Sequence, residues 1–408
     1  MSLLVDRPLP LAALRRWRDK PIIKVVTGVR RCGKSTLLEL FRDELTRTGV
    51  APDQIVHFNL EDLEVQDLAT DHRALHRAVL DRRHPTAKTY VFLDEPQTTP
   101  EFELAVDSLH LRPELDLYLT GSNAQMLSGD LATRLAGRHV EIQLTPLSFA
   151  EFSTGWRQRG FKDAEASKIY SEFTRWGSFP FALTLAPDTT AIDDYLDGLV
   201  NTILLKDVAV RQRVANAALL RDVVAFLLSN VGSATSLRRV ANALTSAGRG
   251  PSPNTIESYL SGLVSAYLMY PLEPRDLAGL RHLDAPKKYY AVDPGLRAAV
   301  IGRRRPDTGH MLENTVFLEL LRRHRHVWSA RAGGGEIDFV AAAGDQLIYI
   351  QVAATVRDEA TLARELAPLA AVPDHHPKLL LTLDEDPPTS HRGIRQLNAL
   401  DWLLGNVT

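Results

Sequence analysis

Short apolar runs bounded by polar residues recur through the first third of the chain. Runs at residues 22–26, 54–62, 90–93 and 115–123 have the length and composition of buried strands. Helical patterns fill intervals between them, at residues 36–45 and 74–83. Strands that alternate with helices in this way predict an α/β domain.

The pattern becomes helical beyond residue 145. Residues 146–210 contain mostly helical periodicity, with breaks at Pro146, Gly155 and residues 177–180. From residue 215 the periodicity predicts three short amphipathic helices, followed by two candidate strands at residues 267–273 and 287–293. Three helices and a two-stranded wing predict a winged helix.

The third helix of this predicted module would bury one face and expose the other. We expect the outward residues to be Asn254, Thr255, Glu257 and Ser258, and the inward residues to be Ile256, Tyr259, Leu260 and Leu263. An exposed face with an acid and no arginine does not favour base-specific DNA recognition. Backbone-level DNA binding and a protein-docking role both fit such a module. For the first, we expect basic side chains to contact phosphates: Arg238, Arg239, Arg249, Lys287 and Lys288.

Composition narrows the class of protein. The chain has 408 residues, 45% of them hydrophobic and 24% charged, which is typical of globular proteins with several domains. One cysteine and no long apolar stretch predict a cytoplasmic protein without a membrane segment. A net charge of −2 means that any nucleic-acid contact depends on local basic patches.

The strongest chemical signal lies between the first strand and the first helix. Gly28, Gly33, Lys34 and Ser35 have the spacing of a loop that wraps its backbone N–H groups around phosphates at a helix N-terminus. Lys34 would reach the β- and γ-phosphates, and the Ser35 hydroxyl would ligate Mg²⁺. We therefore predict that ATP and Mg²⁺ bind to the following residues: Gly28, Val29, Arg30, Arg31, Cys32, Gly33, Lys34, Ser35 and Thr36.

A tandem of acids ends the run at residues 90–93. Asp94 would hold the Mg²⁺ ion, and Glu95 would polarise the attacking water. Two adjacent acids at this position favour hydrolysis over kinase or GTPase chemistry. A further strand in the chain between the two motifs is typical of additional-strand ATPases. In these, a polar residue at the tip of the next strand senses the γ-phosphate; Asn123 or Ser122 is in that place, where either would also serve as a helix cap.

Several longer motifs resemble one family. The segments TGSNAQMLSGDLATRLAGRHVEIQLTPLSFAEF, RWGSFPFAL, YLDGLVNTILLKDV, KKYYAVDPGLR, LENTVFLEL and EIDFV…IYIQVA resemble bacterial and archaeal AAA-type ATPases with a C-terminal domain of formerly unknown function. The resemblance covers residues 15–385. It implies a P-loop ATPase core (1–145), a helical lid (146–212), a winged-helix module (213–300) and a domain similar to restriction-type nucleases (301–408).

The same resemblance raises the question of an arginine finger. In AAA-type enzymes an arginine of the lid or of a neighbouring subunit neutralises charge on the γ-phosphate. Arg138, and less strongly Arg134, is in a suitable place just after the sensor strand. Both residues also fit a helix face in solvent or a pair with local acids. Whether the protein forms a homo-oligomer depends on whether one of these arginines acts as a finger on a neighbouring subunit.

The last domain has the element order of a PD-(D/E)xK nuclease, in which two acids bind a metal and a lysine steadies the water. Glu313 and Asp338 fill two acid positions, and Glu336 would assist. At the third position Gln351 replaces the acid but keeps one possible oxygen ligand.

The lysine of this motif is absent from its usual position, where the chain has Ala353. No lysine lies between Lys288 and Lys378, so a rescue would need a migrated residue such as Arg364 or Lys378. We therefore expect a nuclease-like fold whose cleavage activity is lost.

The resulting hypothesis is a Mg²⁺-dependent ATPase that couples ATP turnover to conformational change and acts on nucleic acid, for example branched DNA. The alternative is a nucleotide-dependent switch or scaffold whose partner is a protein. A third hypothesis, an ATP-regulated nuclease, requires a working metal site in the last domain.

Overall fold

The computed structural model describes residues 4–127, 136–212, 214, 216–246, 250–302 and 308–407. The predicted finger Arg134 lies outside these residues, as does the predicted phosphate contact Arg249. The described chain divides into two compact units. The N-terminal unit comprises residues 6–146 and 265–267, and the C-terminal unit comprises the rest.

The N-terminal unit is built on one parallel five-stranded sheet. Its strands consist mostly of apolar residues. Helices connect most of them, and each connection brings the chain back to the end of the sheet where the next parallel strand begins. The strands are β1 (Ile23–Thr27), β2 (Ile55–Asn59), β3 (Thr89–Asp94), β4 (Leu115–Gly121) and β5 (His139–Gln143). The helices are α1 (Pro8–Trp17), α2 (Lys34–Arg47), α3 (Gln66–Thr70), α4 (His72–Asp81) and α5 (Phe102–His110).

The order of the sheet is β2-β3-β4-β1-β5. The strand β4 therefore lies between β1, which precedes the glycine-rich loop, and β3, which ends in Asp94. Because all pairs are parallel, the carboxyl ends of these three strands meet at one edge. The four predicted strands and the helix after the loop are confirmed, whereas β5 had no predicted counterpart.

The C-terminal unit begins with helices, as the periodicity predicted for residues 146–210. They are α6 (Phe149–Gln158), α7 (Ala166–Trp176), α8 (Pro180–Leu185) and α9 (Thr189–Thr202), which continues as a π-helix over Ile203–Ala209. Ser148 and Glu151 form a capping box at the start of α6. Aromatic side chains of α6 and α7 pack edge to face, for example Phe152 against Phe173 with ring centroids 5.3 Å apart.

Three helices and a three-stranded antiparallel sheet follow. The helices are α10 (Ala217–Ser229), α11 (Leu237–Ser246) and α12 (Pro253–Ser265); the strands are β6 (Ala234–Thr235), β7 (Met269–Leu272) and β8 (Lys287–Ala291), in the order β6-β8-β7. In α12 the predicted inward face is confirmed, because all four of its residues are buried: Ile256, Tyr259, Leu260 and Leu263. The predicted outward face is confirmed in part, since Asn254 and Glu257 are exposed but Thr255 and Ser258 are half-buried.

The last part of the unit is a mixed six-stranded sheet with helices. Two helices precede it, α13 (Pro294–Ile301) and α14 (Thr308–Arg323). It contains β9 (Val327–Ala332), β10 (Gly335–Ala343), β11 (Gln346–Ala353), α15 (Glu359–Ala370), β12 (Lys378–Thr382), β13 (Thr389–His391), β14 (Ile394–Asn398) and α16 (Ala399–Leu404). The sheet order is β13-β14-β12-β11-β10-β9. The helix that carries Glu313, α14, and the hairpin of β10 and β11 both follow the element order predicted for this domain.

Candidate nucleotide-binding site

The glycine-rich loop leaves β1 with a backbone that only glycine accommodates. Gly28 has φ +151°, and a Cβ atom there would lie 2.0 Å from the carbonyl oxygen of Leu144. Gly33 has φ +101° and directly precedes the first residue of α2. Both glycines therefore allow the loop to turn tightly between strand and helix.

Lys34 is buried at the start of α2 and points back into the loop. Its Nζ lies 3.1 Å from the carbonyl oxygen of Gly28, 3.4 Å from that of Val29 and 3.5 Å from Oε1 of Glu95. Ser35 is exposed in the first helical turn, where unpaired N–H groups and the helix dipole favour an anion.

Asp94 and Glu95 lie at the end of β3, joined to β4 through one hydroxyl. The Thr120 side chain donates a hydrogen bond to Asp94 Oδ1 and accepts one from the Glu95 backbone N–H at 3.0 Å. Glu95 has φ +50°, an uncommon conformation for a residue other than glycine, which the Thr120 contact helps to hold. Sequence reasoning missed Thr120; its only signal was a polar residue inside a buried strand.

The Glu95 carboxylate is held by donors on three sides. Its Oε2 accepts from the Ser122 backbone N–H at 3.3 Å and from the Gln97 side chain, while Oε1 faces Lys34. Burial raises the pKa of Glu95, but the Lys34 charge and these hydrogen bonds outweigh it, so that the pKa lies below its usual value. Glu95 is therefore an ionised acceptor at neutral pH, as a water-polarising base requires.

The two sensor candidates lie at the tip of β4, beside this carboxylate. Ser122 and Asn123 are both buried. The Ser122 hydroxyl oxygen has no hydrogen-bond partner among the described residues, and its backbone N–H contacts Glu95. The assignment of the sensor to Asn123 stays a prediction.

Arg138 lies at the other edge of the sheet. Its carbonyl oxygen accepts from the backbone N–H of Ile23, at the start of β1, and its Nη1 pairs with Asp107 Oδ1 at 2.6 Å. The length of β1 separates Arg138 from the loop of its own chain, and at ~3.3 Å per residue that is roughly 16 Å. A finger role therefore requires a neighbouring subunit, and the pair with Asp107 fits the local alternative.

Sequence reasoning missed a second arginine, Arg7, which holds the backbone of the glycine-rich loop. Arg7 is buried, and its guanidinium donates to the carbonyl oxygens of Cys32 at 3.2 Å and Thr145 at 2.7 Å. Cys32 itself is buried, and burial raises the pKa of its thiol, in keeping with the predicted steric role.

The comparisons with known proteins identify the family. The chain is 36% identical over 405 residues to an uncharacterized protein of Haemophilus influenzae, which covers 98% of this chain and 99% of that protein. The chain belongs to this protein's family. The model of an AAA domain matches residues 20–153, which include the glycine-rich loop and the paired acids. The chain thus contains an AAA-type ATPase domain.

Other similarities extend over most of the AAA protein. An uncharacterized protein of Methanocaldococcus jannaschii is 27% identical over 341 residues, 81% of this chain and 74% of that protein. Two models of domains of unknown function match residues 167–307 and 308–400. Among solved structures, a Walker-type ATPase of Pyrococcus abyssi has a TM-score of 0.49 at 17% identity and covers 73% of this chain and 96% of its own. The Orc1 protein of Aeropyrum pernix in complex with DNA has a TM-score of 0.34 at 11% identity, covering 74% and 93%.

The residues of the AAA domain fit ATP and Mg²⁺. Gly28 leaves no room for a side chain where the loop passes Leu144, and the ammonium of Lys34 lies 3.5 Å from the carboxylate of Glu95. The Ser35 hydroxyl and the Asp94 carboxylate supply oxygen ligands, which Mg²⁺ prefers.

A second polar cluster lies in the C-terminal unit. Glu313 on α14 and Asp338 on β10 converge there, as predicted, but on a lysine: Lys288 Nζ lies 3.1 Å from Glu313 Oε1 and 3.4 Å from Asp338 Oδ1. The prediction that Lys288 contacts phosphates is wrong, because its side chain is buried among carboxylates.

Glu336 joins the cluster, with its Oε1 3.3 Å from Lys288 Nζ, but Gln351, Arg364 and Lys378 do not. The Gln351 amide oxygen accepts from the Asp338 backbone N–H at 3.3 Å, and its nitrogen donates to Glu365 at 2.9 Å. Arg364 is exposed and pairs with Glu365, while Lys378 donates to backbone carbonyls. Neither therefore reaches the cluster, whereas Lys288, which the sequence analysis did not connect with these acids, does.

No helix in the described ranges combines the length and apolar character that crossing a bilayer demands.

Proposed function

We propose that this protein is a Mg²⁺-dependent ATP hydrolase whose turnover drives a conformational change. The observation that carries the proposal is the position of the Glu95 carboxylate: buried, ionised and held by the Ser122 N–H group beside Lys34. An acid needed only for stability would not require a strained backbone and a buried lysine next to a phosphate-binding loop.

Each residue of the site has a separate task in this proposal. Lys34 leaves the loop carbonyls to bind the β- and γ-phosphates, and Ser35 and Asp94 hold Mg²⁺, which when bound neutralises phosphate charge. Glu95 orients and polarises the attacking water. Thr120 positions both acids, since it bonds the side chain of one and the backbone of the other.

The Glu95→Gln variant tests this assignment. The amide keeps the size of the side chain but cannot accept a proton, so we expect ATP binding to stay within a few-fold of wild type. Turnover should fall by roughly 100-fold or more. Binding is measured with a fluorescent ATP analogue, and turnover by phosphate release.

The matched control is Glu39→Gln, the same change at an exposed position on α2. It should leave both quantities unchanged. Wild-type turnover in Glu95→Gln would show that another group polarises the water.

The client of this ATPase, in the proposal, is DNA bound through its backbone. The helices α10–α12 with the three-stranded sheet have the element order of a winged helix, and Arg238 is exposed at the start of α11. Arg239 is also exposed but donates to the Ala234 carbonyl oxygen and to Asn230. Lys287 pairs with Glu273 at 2.8 Å. Phosphates would have to compete with these partners.

A protein client is the second candidate, favoured by apolar side chains that the helical segment exposes. Phe181, Leu205 and Val210 are 53%, 51% and 73% exposed. Contiguous exposed apolar patches are typical of protein interaction sites, and Leu205 and Val210 lie close together in the chain.

A further inference from the structure

The acid cluster of the C-terminal unit surrounds a single ammonium group. Three carboxylate oxygens lie within 3.4 Å of Lys288 Nζ: Glu313 Oε1 at 3.1 Å, Glu336 Oε1 at 3.3 Å and Asp338 Oδ1 at 3.4 Å. The Lys288 side chain is 8% exposed. The ammonium donates hydrogen bonds to Glu313 and Asp338 and forms an ion pair with Glu336, so two of its three N–H donors have carboxylate acceptors.

The lysine is held in this place by the strand that carries it. On β8, Tyr290 donates to Glu313 Oε1 at 2.6 Å. Asn314 of α14 accepts from the Ala291 N–H at 2.8 Å and donates to its carbonyl oxygen at 3.0 Å. The rings of Tyr290 and Phe317 stack with centroids 4.2 Å apart. These contacts fix the register of β8 against α14, and therefore the position of Lys288.

A divalent metal, which a nuclease would need, does not fit the same residues. The Gln351 oxygen is turned to the Asp338 N–H, and the second Asp338 oxygen accepts from the Val352 N–H at 3.0 Å. Metal ligands of this kind lie at about 2.0–2.6 Å, whereas the oxygens here are spaced for hydrogen bonds to nitrogen. Among the described residues no group of His, Cys, Asp and Glu is arranged to hold a metal ion.

We propose that Lys288 is the built-in cation of this cluster: its ammonium takes the place of the divalent metal, so that the C-terminal domain works without metal and does not cleave. This inference rests on the nuclease-like reading of that domain and not on ATP hydrolysis. The lysine also joins β8 to α14 and β10 through its ion pairs with Glu313 and Asp338.

The electrostatics agree with a permanent cation. Burial lowers the pKa of Lys288, but Asp338, Glu313 and Glu336 more than compensate, and the pKa lies above its usual value. Burial and the Glu313 charge raise the pKa of Asp338, whereas Lys288 lowers it. Removing the lysine would leave carboxylates facing one another; like charges in one site repel and raise the pKa of one of the acids, and a bound cation would relieve the same repulsion.

The test measures Mn²⁺ binding to the full-length, nucleotide-free protein by electron paramagnetic resonance. Wild type should show no site that depends on Asp338, so that wild type and Asp338→Asn bind alike. Lys288→Met should gain a Mn²⁺ site, roughly tenfold or more tighter than any in wild type. The double variant Lys288→Met/Asp338→Asn should lose it.

Thermal melting gives a second readout. Lys288→Met should melt at a lower temperature than wild type and regain part of the loss in Mn²⁺. The matched control Lys287→Met, which removes an exposed ammonium from the same strand, should show neither effect.

Two outcomes would overturn the proposal. One is a Mn²⁺ site in wild type that Asp338→Asn abolishes, with DNA cleavage in Mn²⁺, which would make Lys288 the lysine of a working nuclease. The other is a folded Lys288→Met variant without a gained site. If that variant does not fold, the comparison of wild type with Asp338→Asn still decides. Neither outcome alters the effect expected for Glu95→Gln, so the two proposals fail separately.

Discussion

At the scale of single residues, the buried charges of the N-terminal unit fall at opposite edges of its sheet. Lys34, Asp94 and Glu95 lie at the carboxyl edge, where phosphates would bind. Lys24 and Asp116 pair near the opposite edge, where β1 and β4 begin. Their side chains are 0% and 2% exposed. The first group has binding and catalytic roles in the proposed function, whereas the second lies between two strands inside the sheet.

Removing one member of the Lys24–Asp116 pair should destabilise the fold. Burial lowers the pKa of Lys24 and Asp116 counteracts this; Asp116 also accepts from Tyr118 at 2.8 Å. We expect Asp116→Ala to lower the free energy of unfolding by about 3–5 kcal/mol, because it leaves the ammonium buried and unpaired. Urea denaturation measures the change.

The double variant Lys24→Met/Asp116→Leu is the control, since it removes both charges and keeps apolar volume. It should recover most of the lost stability. Equal stability of Asp116→Ala and wild type would mean that water or a rearranged side chain compensates the lysine.

At the scale of elements, the strand order decides which residues meet. With β4 between β1 and β3, the tip of β4 brings Ser122 and Thr120 to Glu95 and Asp94. The glycine-rich loop is supported from outside this motif, by the backbone of Leu144 after β5 and by Arg7 before α1. The loop is therefore rigid on one side and open on the side where a nucleotide would bind.

The closeness of Leu144 predicts the effect of a methyl group at Gly28. In Gly28→Ala the new Cβ would displace the loop from the Leu144 oxygen, and we expect nucleotide affinity to fall roughly tenfold or more. The matched control is Gly49→Ala, whose φ is also positive at +99° but which has open space around it. It should cost about 1–2 kcal/mol of stability for its backbone alone and leave affinity unchanged. Equal affinities of the two variants would contradict the steric argument.

At the scale of the whole molecule, the AAA domain and the C-terminal unit have separate cores. The first is centred on Val25, Phe58, Leu93 and Leu117, and the second contains Trp328 and its neighbours in the last sheet. The proposed coupling of ATP turnover to a client would therefore require a change in one unit to reach the other. An Arg138 finger would add a neighbouring subunit to this scheme.

A DNA client predicts salt-sensitive stimulation of the ATPase. Because contacts to the DNA backbone release counterions, forked, duplex or single-stranded DNA should raise turnover at low salt and lose this effect as salt increases. Phosphate release is measured with each DNA at several salt concentrations, and Arg238→Ala should weaken the stimulation. Indifference to every nucleic acid would instead favour the protein client, for which Phe181 and Leu205 offer the first residues to change.

The sequence by itself determined the elements and the nucleotide motifs, because their information is local. A loop needs its glycines and lysine within a few positions, and the strand before it and the acids after the next strand are contiguous patterns. The same holds for the element order of the last domain and for Glu313 and Asp338, which occupy fixed places in that order.

Only the tertiary structure decided the partners of these residues. Arg7 reaches Cys32 and Thr145, Thr120 joins the two acids, and Lys288 enters the acid cluster from another module. Each is a contact between positions far apart in the chain, set by strand order and packing rather than by spacing. For that reason the ion pairs of Lys288 on β8 with Glu313 and Asp338 could not be predicted from the sequence.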